Sequence, residues 1–140
     1  YQIDFEAYVN IAPIVHESFA HLPPQWADTI SDFMIKMDAK PVRGNLQAEY
    51  VEYNGELTRI FADIASEMEE YRKKVLQTIE ISEFNEDAES KLFFEEFLLM
   101  IIPYCKQARV WEKYAQRYIN DYKSFDVHFK DITTYIDIIK

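Results

Sequence analysis

The sequence predicts an all-α fold, an irregular bundle of five to seven helices forming a single domain over residues 1–140. Three observations carry that prediction. Apolar residues recur at spacings of three and four through most of the chain, the period of a helix with one buried side. Only two Gly and five Pro interrupt the 140 residues, whereas an all-β chain is rich in such turn residues. Aromatic residues make up 16% of the chain, with ten Tyr and ten Phe. That is bulk enough to fill one core, with roughly two thirds of the unfolded chain's surface removed from water on folding.

Asp4 to Ala12 reads as a first helix with Phe5, Tyr8, Val9 and Ala12 on one side. Pro13 then starts a new turn or kinks the same helix, because it lacks a backbone donor. The pair Pro23-Pro24 ends this region and opens a second helix carrying Trp26, Ile30, Phe33, Met34 and Met37. Lys40 to Gly44 is the clearest loop. From Asn45 to about Ile81 the pattern is helical again, although Asn54-Gly55 is a strong turn signal inside it, so a break or a locally weak helix is expected there. Beyond that pair Leu57, Ile60, Phe61, Ile64, Met68, Tyr71, Val75, Leu76 and Ile79 form the longest regular helical pattern in the chain.

Ser82 to Glu86 reads as a turn, and Asn85 or Asp87 caps the next helix, which passes through Leu92, Phe93 and Phe94 to Ile102. The run Phe97 to Ile102 is apolar on every side, which places this helix at the centre. Pro103 kinks or ends it. Tyr104 to Tyr122 is helical again with Tyr104, Trp111, Tyr114, Tyr118 and Tyr122 along one side, and Ser124 caps a last helix bearing Phe125, Phe129, Ile132, Ile136 and Ile139. The alternation Phe125, Val127, Phe129 fits a strand, but the helical register accounts for more positions.

The run Phe97 to Ile102 is also the longest apolar stretch, far short of the ~20 residues a membrane-spanning helix needs. The segment Tyr1 to Ala20 contains Asp4, Glu6 and Glu17 and no Lys or Arg, unlike the basic start and apolar middle of a secretory signal. One cysteine, Cys105, leaves no internal disulfide and fits a reducing, cytoplasmic compartment. The net charge of −10 is unevenly spread: residues 44–100 carry −9 and residues 101–123 carry +3. A field of that sign repels nucleic acid and anionic membrane and speeds encounter with a basic protein. Neither nucleic acid nor membrane is therefore an expected partner.

Glu49, Glu52 and Glu56 lie three and four apart, and Asp63, Glu67 and Glu70 repeat the pattern. On one helix running through Gly55 all six would share a face, with neighbouring Cβ atoms ~5–6 Å apart, near the spacing of successive phosphates on a nucleic acid strand. Such a stripe would occupy a basic, phosphate-binding cleft. It is also what an ordinary solvated helix face looks like, and Arg59 and Lys74 interrupt it and can pair within it. The pairs Glu49/Glu52 and Glu67/Glu70 alternatively suit magnesium shared with a nucleoside triphosphate, since hard cations take several oxygen ligands. No acidic pair on another helix is clearly oriented toward them.

No metal site built on histidine is expected. No His follows a Glu by three residues, as di-iron bundles require, and His16 and His21, five apart, point to different sides of a helix. His128 sits beside core positions of the last helix. Cys105 reads as a buried, inert thiol. Gly44 and Gly55 belong to no phosphate-binding loop, so no cofactor is expected. Lys106, Arg109, Lys113 and Arg117 form a basic stripe whose expected partner is the protein's own acidic helix, and the tyrosines beside it are expected at the edge of the core.

The reading that follows is a binding protein with no catalytic residues: a small acidic inhibitor, of the immunity-protein or antitoxin kind, that covers the active cleft of a basic toxin such as a nuclease. Glu52, Glu56, Asp63, Glu67 and Glu70 would steer the encounter, with Tyr50, Tyr53 and Tyr71 as anchors. Two alternatives stand beside it. One is a magnesium-dependent nucleotide hydrolase using Glu49, Glu52, Glu67 and Glu70. The other is a ligand-sensing or scaffold bundle whose aromatic core, around Trp26, Phe61, Phe97 and Trp111, encloses a small apolar molecule in a roomy pocket, where an inhibitor would have a solid core.

Overall fold

A computed structural model describes residues 1–42 and 44–138. Among these residues the chain is all-α, with no strand. Its elements are α1 (Gln2–Phe5), α2 (Ile11–Val15), a π-helical turn (His16–Ala20), α3 (Leu22–Lys36), α4 (Leu57–Phe84), α5 (Ala88–Arg117) and α6 (Tyr122–Ile132).

The long hairpin of α4 and α5 is the frame on which the rest is laid. On α4 the buried stripe follows the apolar spacing, with Leu57, Ile60, Phe61, Met68 and Val75, and adds Ala65; on α5 it is Phe97, Ile101, Cys105, Ala108, Trp111 and Ala115, so of the side marked by Tyr104, Trp111, Tyr114 and Tyr118 only Trp111 is fully buried. The turn between them falls at Asn85 to Asp87, slightly later than the sequence suggests. Glu86 there adopts a left-handed φ of 56°, the conformation that commonly ends a helix. Asp87 then caps α5 as expected, accepting from the Ser90 backbone N–H at 3.1 Å.

Of the two outcomes expected at Pro103, an end is excluded, because α5 runs through it to Arg117. The carbonyl that loses its donor belongs to Leu99, whose side chain is 68% exposed, so water can take the place of the missing bond. The run Phe97 to Ile102, apolar on every side in the sequence, is not buried all round. Phe97 and Ile101 face the core, while Leu99, Met100 and Ile102 face outward.

α6 closes the core at the end of the hairpin far from its turn. Phe61, Trp111, Phe125 and Phe129 have no exposed surface; their ring centroids lie 5.7 Å apart for Phe61–Trp111, 5.4 Å for Phe61–Phe125 and 5.0 Å for Trp111–Phe129. Asp121 rather than Ser124 caps this helix, because the Asp121 carboxylate accepts both the Ser124 backbone N–H, at 3.1 Å, and its hydroxyl, at 2.6 Å. The helix stops at Ile132, where the buried Gln107 amide takes over the backbone bonding. Its Nε2 donates to the Ile132 carbonyl at 3.0 Å and its Oε1 accepts from the Tyr135 N–H at 2.9 Å. Ile136 still packs against the core, and Ile139 lies outside the described residues.

The predicted helix from Asp4 to Ala12 is broken. Ala7 has a φ of 61°, so α1 and α2 are separate; Phe5 is 86% exposed, and the buried residues of this segment are Ile3, Ile11 and Ile14. Asp126 on α6 supplies the cap that α2 lacks, accepting from the backbone N–H groups of Asn10 and Ile11 and from Asn10 Nδ2, each at 3.0 Å. Pro13 sits in the first turn of α2 and Pro23 in that of α3, where a missing N–H costs little. α3 lies along the hairpin with Trp26 stacked on Tyr71 at 5.2 Å and Phe33 on Phe93 at 4.0 Å.

The segment between α3 and α4 is the largest departure from expectation. Helix was expected from Asn45, but none forms before Leu57. Leu46 and Tyr50 are 90% and 80% exposed; with no surface to bury its apolar side, so short a helix does not stand alone. The break at Asn54-Gly55 is as expected. Asn54 and Gly55 take φ values of 52° and 74°, and a Cβ on Gly55 would come within 3.2 Å of the Glu6 carboxyl carbon. Among the described residues no helix is long and apolar enough to cross a membrane.

Candidate partner-binding site

The break at Gly55 divides the acidic stripe. Glu49, Glu52 and Glu56 all precede α4, so they do not share a helical face with Asp63, Glu67 and Glu70. Glu52 turns back on its own segment, accepting the Tyr50 hydroxyl and the Asn54 N–H. These bonds hold its carboxyl below the usual range, and the first of them raises the Tyr50 phenol. Glu56 pairs with Arg59 at 3.4 Å, and the Arg59 guanidinium stands 5.6 Å above the Tyr53 ring. Of the two acidic pairs considered for magnesium, Glu49 and Glu52 are not on a helix, whereas Glu67 and Glu70 both lie on α4, with the Glu70 carboxylate 3.5 Å from Lys73 Nζ.

Three of the predicted residues are nonetheless brought together. The segment before α4 is pinned across α1: the Tyr53 N–H donates to Gln2 Oε1 at 2.9 Å and Gln2 Nε2 donates to the Val51 carbonyl at 2.6 Å. This directs the Tyr53 hydroxyl onto Asp63 Oδ2, at 2.6 Å. Tyr53, Asp63 and Glu67 then line a surface groove of about 280 Å³ between α3 and α4, together with apolar Leu22, Trp26, Ile60, Ile64 and Met68. Asp63 and Glu67 are one helical turn apart and both exposed. An apolar groove with two carboxylates suits a side chain that has an apolar stem and a cationic end.

The other predicted anchors are elsewhere. Tyr71 is half-buried behind the groove, stacked on Trp26, and burial raises its phenol pKa; it supports the groove wall and is not a free anchor. Tyr50 projects into solvent, and Glu70 does not line the groove. Sequence reasoning missed Phe19, Leu22 and Pro23 as lining residues. The four-residue spacing of Leu22 and Trp26 was the one available signal for that side.

The Asp63 hydrogen bond, with burial next, pushes the Tyr53 phenol up to about 12. Because the folded value lies above the unfolded one, the stability this bond supplies is complete below the ordinary tyrosine pKa of about 10 and is lost as pH rises through the folded value. Titration of tyrosinate absorbance should therefore show a late-ionising tyrosine that Tyr53→Phe removes. An unchanged high-pH limb in that variant would show that the hydroxyl is not held by Asp63.

Around Phe61 and Trp111 the aromatic core is built of ring contacts, with centroids 5.0 to 5.7 Å apart. Of the basic stripe, Arg109 shares a hollow with Glu69 of α4 and helps, after Arg72, to lower its carboxyl. Among the described residues no ion pair joins α4 to Lys106, Arg109, Lys113 or Arg117; instead Lys106 lies 5.4 Å over the Tyr135 ring and Arg117 lies 5.1 Å over Tyr114. Tyr104, Tyr114, Tyr118 and Tyr122 pack at the core edge as expected. Cys105 is buried with its Sγ 3.8 Å from the Met68 carbonyl, and burial raises its thiol pKa, which suppresses thiolate reactivity.

The histidines depart from expectation. Five residues of α-helix would separate His16 and His21 by about 140° around the axis, but the π-turn brings their Nε2 atoms to 3.2 Å. Glu17 Oε1 is 3.8 Å from His16 Nε2, and one ligand atom from each of these three exposed residues falls within 4.8 Å of the others. Among the described residues this is the cluster that could hold a metal ion. No protein-family model, curated protein or solved structure matches the chain.

Proposed function

We propose that the protein is an acidic binding protein that engages a basic protein partner through the groove between α3 and α4. The observation that supports this most directly is the arrangement of Asp63 and Glu67 with Tyr53 beside the apolar side chains of Trp26, Ile60 and Ile64. A Lys or Arg of the partner would bury its methylene stem there and bring its charge to the carboxylates. The charge of −10, concentrated in residues 44–100, would speed the encounter.

The specific form of the proposal is an inhibitor, of the immunity-protein or antitoxin type, that covers the active cleft of a basic toxin such as a nuclease. A cytoplasmic setting, in keeping with a single buried thiol, belongs to the same proposal. In this form Tyr53, Asp63 and Glu67 are the principal contacts. Glu52, Glu56 and Glu70 contribute to the field, and Tyr50, exposed away from the groove, is left as a secondary contact.

The test is capture of partners from the source cell's lysate at low and high salt, with wild-type protein, Glu67→Lys, and Glu89→Lys as a charge-matched control at the start of α5. The expected result is one basic protein retained at low salt, its activity suppressed stoichiometrically, with Glu67→Lys weakening capture by about tenfold, from lost attraction and new repulsion together. Glu89→Lys should have little effect. Equal weakening by both variants would reduce the interaction to net charge and remove the groove from it, and no specific capture would overturn the proposal.

A further inference from the structure

We infer that His16, Glu17 and His21 form a binding site for a transition-metal ion of the zinc class, assembled by the π-turn. Two imidazole nitrogens bound to one tetrahedral zinc ion at the usual Zn–N distance stand about 3.3 Å apart. The two Nε2 atoms are already 3.2 Å apart. The Glu17 oxygen, 3.8 Å from His16 Nε2, needs only a small rotation of a half-exposed side chain to become the third ligand. Two imidazoles and a carboxylate favour zinc, copper or nickel over magnesium and calcium, which prefer oxygen.

The backbone is the second observation. A π-turn is rare and tends to occur at functional positions. Here it alone makes the spacing of five residues a chelating one. Within it, Ser18 Oγ is buried and has no hydrogen-bond partner among the described residues, the kind of exception that calls for a compensating role nearby. Without metal, one imidazole donates its Nε2 hydrogen to the other. Metal binding moves that hydrogen to Nδ1, so both Nε2 lone pairs face the ion. A hollow of about 620 Å³ lined by Tyr1, Asp4, Pro13, Ala20 and both histidines adjoins the cluster, with room for water or a small anionic ligand. The site does not depend on the partner proposed above.

Calorimetric titration of the full chain with zinc chloride tests this. One ion per chain should bind with micromolar affinity in the presence of excess magnesium. His16→Ala and His21→Ala should each weaken binding by more than about tenfold, since loss of even an outer partner of a metal ligand costs that much. Glu17→Gln should weaken it less. Both histidines are exposed, so the variants should keep the wild-type far-ultraviolet circular dichroism. In a parallel experiment with copper(II), electron paramagnetic resonance should show coupling to two imidazole nitrogens. Zinc binding that survives the double histidine substitution would assign the ion to scattered carboxylates and overturn the inference. So would the absence of micromolar binding, or a copper spectrum without two coupled nitrogens.

Discussion

Replacing Trp111 by alanine is expected to cost about 3–5 kcal/mol, the usual range for emptying a large aromatic site in a core. Trp111 has no exposed surface and meets an aromatic ring on three sides: Phe129 at 5.0 Å, Phe19 at 5.1 Å and Phe61 at 5.7 Å. The π-turn, α4 and α6 therefore share this one side chain. Its indole N–H donates to Thr133 Oγ1 at 2.9 Å, and that hydroxyl donates to the Phe129 carbonyl at 2.7 Å. Alanine leaves a cavity and removes the donor together. Phenylalanine refills most of the cavity, so Trp111→Phe should lose about 1–2 kcal/mol, largely for the missing hydrogen bond and residual space. Urea unfolding followed by circular dichroism measures both. With total stability of about 5–15 kcal/mol for a domain of this kind, the alanine variant should be marginal at physiological temperature. A loss under about 1 kcal/mol for alanine would be too small for a core aromatic and would contradict the packing.

Asp126→Ala is expected to cost about 2–4 kcal/mol, from the loss of charge-assisted bonds and the orphaning of buried donors. The carboxylate of Asp126, on α6, accepts two backbone N–H groups at the start of α2 and the Asn10 side-chain amide, each at 3.0 Å. The first N–H groups of a helix have no partner within it. Alanine would leave that of Ile11 buried and unpaired. Asparagine keeps one acceptor oxygen but brings an amide hydrogen toward the Asn10 amide, so it should recover part of the loss. Hydrogen exchange locates the effect: protection should fall selectively over α2 and the π-turn in Asp126→Ala, with the α4–α5 hairpin less affected. Uniform loss along the chain would mean that the contact supports the whole fold and is not a local seal.

Legibility in the sequence followed the reach of the forces involved. The stripes on α4 and the cap at Asp87 were readable because an apolar period of three and four, or an acid just before a helix, is sufficient in itself. Residues 45–53 show the same period and yet form no helix, because whether Leu46 and Tyr50 find a surface to cover is decided by distant parts of the chain. Whether the helix would end at Pro103 was decided in the same way, since packing of Ile101, Cys105 and Ala108 on both sides of it outweighs one missing bond. At the candidate groove, Asp63 and Glu67 were visible as neighbours on α4, but the turn of Tyr53 toward Asp63 depends on Gln2, which no local pattern reveals. The histidine pair was misplaced by a single assumption, that the helix holding it is regular. The buried residues Ile14 and Phe19 are also five apart, and that irregular step between core positions was the available sign of a π-turn.

The seal made by Asp126 has a consequence for the timing of folding. The turn of the α4–α5 hairpin closes over a few residues, whereas the bond from Ile11 to Asp126 spans 115 residues of sequence. The entropic cost of closure rises with loop length, so contacts along the hairpin form ahead of the bond between α2 and α6. A contact made after the main barrier governs the rate of opening and leaves the rate of folding largely unchanged. Asp126 therefore acts as a latch on the N-terminal segment, setting how long that segment stays docked once the domain has formed.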